Sequence, residues 1–207
     1  MRKFLKLLRV EQWVKNLFVF TPLFFSGNVT HVDLTLKSIF AFLVFSFTAS
    51  SIYILNDYTD IESDKKHPEK CKRPLASGAI SKTTAIIIFI LLILSVAILV
   101  FFGADYFHKN FTKFSIIIAS YFFMNIAYTF KLKHVAIIDV SIIALGFVFR
   151  VLAGGYATGI AVSQWAILLT FVLALVLAIG KRRGELINAE ISGKTRKALD
   201  GYNVQFA

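Results

Sequence analysis

The chain has 207 residues, 57% of them hydrophobic and 15% aromatic, with 23 Lys and Arg against 12 Asp and Glu for a formal net charge of +11. A mean hydropathy of +0.71 is far above what a soluble core of this size needs, so an ordinary water-soluble domain is excluded and a membrane is the simplest solvent. The positive charge follows the membrane topology, as the segments below show, and needs no nucleic-acid partner.

Residues 1–16, MRKFLKLLRVEQWVKN, set Arg2, Lys3, Lys6 and Arg9 at helical spacing among Phe4, Leu5, Leu7, Leu8 and Val10. This predicts an interfacial amphipathic segment, a basic anchor beside the bilayer, with Trp13 at headgroup level. No small-residue cleavage site follows, so the start reads as mature sequence rather than a signal peptide. A short apolar run over 14–26 contains Pro22 and predicts a tilted or broken first crossing. Longer runs near 38–56, 83–104, 112–130, 135–155 and 164–180 bring the count to six spans. With the N-terminus inside, segments 1–16, 57–82, 131–134 and 181–207 hold 5, 6, 2 and 6 basic residues, 19 of the 23. That bias sets the orientation and puts these segments in the cytoplasm. The connections at 27–37 and 156–163 are short and predict no external domain. No repeat or linker divides the chain, which reads as one all-α membrane unit over 1–207.

The loop at 57–82 is the longest polar stretch between spans, and with the residue before it reads NDYTDIESDKKHPEKCKRPLASG. Asp57, Asp60 and Asp64 stand at i, i+3 and i+7, so a continuing helix would carry all three carboxylates on one face, with Asn56 one residue before. The ordinary reading is a solvated acidic helix end. Packed like charges repel unless a cation lies between them, and hard oxygen ligands suit Mg²⁺, which would bridge them to substrate phosphates. Lys65, Lys66, His67, Lys70, Lys72 and Arg73 follow within nine residues and supply an anion-binding surface beside that site. Pro68 and Pro74 prevent a continuous helix here. Cys71, the single cysteine, reads as a passive loop residue in a reducing compartment.

Further basic groups sit at the same membrane side. Lys131 and Lys133 flank the fifth span, and Lys181, Arg182, Arg183 and Glu185 follow the sixth. A plain positive-inside signal explains the last cluster taken alone; a bundle would let all of these charges converge. Within the fifth span Asp139 and Arg150 are about 1,100° of helical rotation and about 16 Å apart, too far to pair. Asp139 lies near the inner end and can reach the site. Arg150 either snorkels toward the outer end or faces the cavity.

The motif NDYTDIESD resembles the NDxxDxxxD signature of the UbiA-type polyprenyl transferase superfamily. RVEQWVKNLFVFTPLF, LKHVAIIDVSIIALGFVFRVLAGG and GKRRGEL bring the likeness closest to the decaprenyl-phosphate phosphoribosyltransferases. The resemblance implies a magnesium-dependent helical membrane enzyme that transfers 5-phosphoribose from phosphoribosyl diphosphate to a polyprenyl phosphate and releases diphosphate. It implies that Asn56, Asp57, Asp60 and Asp64 hold Mg²⁺ and the diphosphate, with the three aspartates as the catalytic set and Lys70 and Arg73 on phosphates. Lys15, Lys131, Lys133, Lys181 and Arg182 would hold the ribose 5-phosphate or the lipid phosphate, with Asp139 and Glu185 lining the same site. It also implies about nine spans, the remainder being supplied by further chain, self-association or a partner chain.

Two other readings stay open. A prenyl transferase with an aromatic acceptor predicts a second acidic DxxxD-like motif, whereas 131–134 and 181–207 offer only Glu185, Glu190 and Asp200 without that spacing. A catalytically silent subunit or a carrier is the third; a carrier predicts charges deep in several spans.

Overall fold

The computed structural model describes residues 2–107 and 110–192; the tail from 193 on, with Asp200, lies outside the described residues. Their helices are α1 (Arg2–Leu8), a 3₁₀ segment (Val10–Phe20), α2 (Thr21–Phe25), α3 (Val32–Thr59), α4 (Ile61–Lys65), α5 (Lys82–Phe107), α6 (Phe111–Phe130), α7 (Ile138–Thr158) and α8 (Gln164–Ser192). No strand occurs among the described residues, as the all-α expectation requires.

Helices α3, α5, α6, α7 and α8 are long and apolar enough to cross a membrane. The sequence predicts six crossings; the 3₁₀ segment with α2 lies where the sixth, the short first run, is expected. Eleven residues at a 3₁₀ rise of about 2 Å and five at about 1.5 Å cover about 30 Å, the thickness of the hydrocarbon core. Its path is fixed by side chains. Arg9 donates to Asp57, Trp13 Nε1 to Ser50 Oγ at 3.0 Å, and Asn16 Nδ2 to Ser46 Oγ at 3.0 Å. The partners step backward along α3 as the segment steps forward, so the two run antiparallel and join through the turn at 26–31. Trp13 faces α3, edge-on to Phe42 and Phe47. Its indole N–H is satisfied by the Ser50 hydroxyl.

Helices α3 and α7 form the buried centre, with Phe45, Phe114, Tyr121, Val44 and Ala153 among the core residues. Gly154 lets the 3₁₀ segment touch α7 backbone to backbone: a Cβ there would stand 1.8 Å from the Val19 carbonyl oxygen. The outer faces are apolar, as on α5, where Ile86, Ile87, Ile90, Leu91, Leu94 and Ile98 are all exposed. An apolar rim suits lipid as solvent.

Arg150 corrects the snorkelling alternative. It is 5% exposed and donates to Asn16 Oδ1 at 2.8 Å, to the Gly146 carbonyl at 2.7 Å and to Tyr121 Oη at 3.3 Å. Its guanidinium lies 5.0–5.4 Å from the ring centroids of Phe45, Tyr121 and Phe147. Neutral acceptors and ring faces offset the desolvation that would otherwise drive it to the interface. Because Asn16 also bonds Ser46, this group ties the 3₁₀ segment, α3, α6 and α7 together.

Candidate active site

The end of α3 carries the acidic motif, and the helix does not continue through it. It stops at Thr59, Asp60 has φ −98 and ψ 7, and α4 restarts at Ile61. The expectation of three carboxylates on one face is thereby corrected. Asp57 and Asp64 turn inward, at 2% and 3% exposure, while Asp60 points to another partner. Seven residues are close to two full turns, so the outer pair stays aligned despite the break; the middle residue, about 60° off, diverges.

The loop that follows is short-ranged and pinned. A turn of 3₁₀ helix, Lys70–Lys72, lies between the two prolines, as their lack of a helical N–H demands. The Ile80 amide closes onto the Pro74 carbonyl at 3.0 Å, and Leu75 and Ile80 pack with Leu7, Ile54, Ile61 and Ala85. This apolar plug under the motif fixes Arg73 at its rim. Arg73 Nη1 donates to Asp64 Oδ2 at 2.6 Å and to Asp57 Oδ1 at 3.1 Å. Arg9 donates to the same Asp57 oxygen. Lys133, from the connection between α6 and α7, donates to Asp60 Oδ1 at 2.6 Å. Three cations thus come from three parts of the chain to the one motif.

Sequence reading singles out Arg73 and Lys133 but passes over Arg9, taking it for part of the anchor. Nothing in its spacing separates it from Arg2, Lys3 and Lys6. What distinguishes it is backbone: α1 ends at Leu8 and Arg9 takes φ 50, ψ 48, a left-handed conformation that non-glycine residues adopt at a cost.

A second cluster stands at the same end. Val140 packs against Ala178 with Ile179 and Leu186 around them, and this seats Arg182 on Asp139. Arg182 Nε donates to Asp139 Oδ2 at 2.8 Å and Nη1 to Glu185 Oε2 at 2.6 Å. Asp139 is fully buried. These three residues are therefore brought together by one another, and Arg182 is held between two carboxylates. Lys181 and Arg183, its neighbours, are exposed. Lys15, on the 3₁₀ segment, lies near enough to Lys181, Arg150 and Arg9 for their charges to act on it. Lys131 is exposed and Lys70 half-buried. On α4, Lys65 hydrogen-bonds Glu62 at 2.9 Å and holds its carboxyl below the usual range, a surface pair apart from the inward carboxylates. Cys71 is a free thiol whose Sγ reaches the Pro68 carbonyl.

Among the described residues, no three His, Cys, Asp or Glu side chains gather closely enough to hold a metal by themselves. Two inward carboxylates do gather, both within 3.1 Å of one guanidinium nitrogen. Beside them Asn56 Oδ1 is buried with no hydrogen-bond partner, an acceptor whose desolvation is uncompensated by protein. Two carboxylate oxygens and an amide oxygen make a hard donor set that fits Mg²⁺ with its remaining positions filled by phosphate or water.

Residues 17–182 match the UbiA prenyltransferase family. The decaprenyl-phosphate phosphoribosyltransferase of Mycolicibacterium smegmatis is 37% identical over 207 residues, which cover 98% of this chain and 63% of that protein. Its counterpart in Corynebacterium glutamicum is 36% identical over 202 residues, 96% of this chain and 59% of that protein. The chain thus spans about three-fifths of the length of these curated relatives. Among solved structures, a UbiA homolog from Archaeoglobus fulgidus bound to DMAPP and Mg²⁺ aligns with a TM-score of 0.73 at 20% identity, over 95% of this chain and 66% of that one.

Proposed function

Since this chain belongs to the UbiA prenyltransferase family and is a multi-pass membrane protein, we propose that it serves the phosphoribosyl branch. The reaction moves 5-phosphoribose from phosphoribosyl diphosphate to a polyprenyl phosphate and releases diphosphate. The names of relatives at 36–37% identity support the branch. The observation that carries it is the basic inner end of α8, where Lys181 and Arg183 are exposed on either side of the buried Arg182. Exposed cations at this end favour an anion beside them, and a phosphate other than the leaving diphosphate answers that need. A second magnesium would be repelled there.

In this reading Asp57, Asp64 and Asn56 would hold Mg²⁺, which would supply charge neutralisation to the leaving diphosphate. Arg73, Lys70 and, from its place on Asp60, Lys133 bind phosphate oxygens. The ribose C1 develops positive charge as its bond to diphosphate lengthens, and the lipid phosphate oxygen, anionic at neutral pH, attacks without a strong general base. Arg182 is a positioning group: clamped by Asp139 and Glu185, it fixes the end of α8 on which Lys181 stands. Lys131 guides anions at the rim. Orientation follows the basic residues, with the site and N-terminus in the cytoplasm and the unit in the cell membrane; residues 1–207 act as one unit.

Replacing Lys181 or Lys15 by Ala raises KM for one phosphorylated substrate about tenfold with a smaller change in kcat, as loss of one charge-assisted contact worth about 1.5 kcal/mol requires. Steady-state kinetics with donor and lipid varied separately check this. An unchanged KM for both substrates would remove the pair from the binding site.

A further inference from the structure

One carboxylate oxygen in the motif carries two guanidinium groups. Asp57 Oδ1 accepts from Arg9 and from Arg73 Nη1, and the same Nη1 reaches Asp64 Oδ2. Arg9 is also laid over the Tyr53 ring, 5.0 Å from its centroid, and its left-handed backbone, φ 50 and ψ 48, bends the chain where α1 meets the 3₁₀ segment. The two carboxylates are buried, and both arginine side chains are only partly exposed, at 19% and 25%. In such a place the charge of the whole cluster matters more than any single contact.

Two arginines and two aspartates are neutral together. A bare divalent ion entering between the carboxylates would bring the cluster to +2 and strip both guanidiniums of their acceptors. A divalent ion carrying a diphosphate brings little or negative net charge, and its oxygens replace the acceptors the arginines lose. Guanidinium groups suit that exchange, because their fork of donors fits phosphate as well as carboxylate.

We infer that Arg9 and Arg73 are exchangeable counter-cations: they close Asp57 and Asp64 to free divalent metal and release them to a metal that arrives with a diphosphate. This makes Arg9 a binding-site residue and makes metal uptake dependent on donor uptake. It rests on the reading that the motif handles a diphosphate.

The test is equilibrium dialysis of Mn²⁺ against the full chain in nanodiscs, counting metal per chain, with and without inorganic diphosphate. Wild-type chain should hold about one Mn²⁺ only when diphosphate is present, with at least a tenfold gap in the metal concentration needed. The double variant Arg9→Gln/Arg73→Gln should take Mn²⁺ alone at a concentration at least tenfold lower than wild type and lose the diphosphate enhancement. Adding Asp57→Asn to it should abolish the gain, which ties the metal to the motif and separates the effect from misfolding, since a damaged fold does not bind metal more tightly. Equal uptake by wild type with and without diphosphate, or no gain in the double variant, overturns the inference. A gain in the double variant with no diphosphate effect in wild type defeats the release step and the diphosphate reading while leaving the arginines as metal-excluding groups.

Discussion

Under the proposed function, Asp57→Ala should lower phosphoribosyl transfer on the order of 10³-fold, about 4 kcal/mol of transition-state stabilisation, the size expected when a preorganised group at the leaving charge is removed. Asp57 is the residue on which the site turns: it accepts from Arg9 and Arg73 at once, is 2% exposed, and adjoins the partnerless Asn56 oxygen. Asp60→Ala should cost far less, because its carboxylate faces Lys133 and not the inward pair. Turnover of the two variants in matched membranes, with insertion checked by limited proteolysis, measures the difference. Equal losses would restore the three-carboxylate face that the end of α3 at Thr59 breaks.

The largest structural effect should come from Gly154→Ala. The added Cβ would meet the Val19 carbonyl oxygen at 1.8 Å and its carbon at 2.8 Å, both backbone atoms that no rotamer change can move. The 3₁₀ segment and α7 must separate, and the Arg150 to Asn16 bond beside them stretches. A loss of about 3 kcal/mol follows, read as a fall of about 10 °C in the unfolding midpoint in detergent. Gly180→Ala is the control. A Cβ there meets nothing within 4 Å, so the midpoint should hold or rise slightly, as replacing a helical glycine usually gives.

Much of the scaffold is legible in the sequence because bilayer-length apolar runs report it directly. The five long spans and the loop broken at Pro68 and Pro74 follow from run length and proline chemistry. The short first run is harder to read, since Val10–Phe20 folds as a 3₁₀ segment and nothing in VEQWVKNLFVF announces that. In the site, composition identifies the acidic motif and its basic surround but not the pairing within them. Asp60 leaves the shared face because α3 stops one residue before it. Arg9 reads as an anchor because its left-handed backbone is a tertiary matter. Arg150 turns inward because Phe45, Tyr121 and Asn16, from three other elements, meet there beside Phe147 of its own helix, and such convergence leaves no local pattern.

The most direct test incubates membranes containing the chain with Mg²⁺, polyprenyl phosphate and phosphoribosyl diphosphate labelled in the ribose, and in parallel with a labelled prenyl diphosphate and an aromatic acid, then counts label in the lipid phase. Labelled lipid phosphate should form from the ribose donor and vanish with Asp57→Ala, and no product should form from the prenyl donor. Prenylated aromatic product without ribose transfer, from a chain shown to be folded and inserted, would contradict the proposed function.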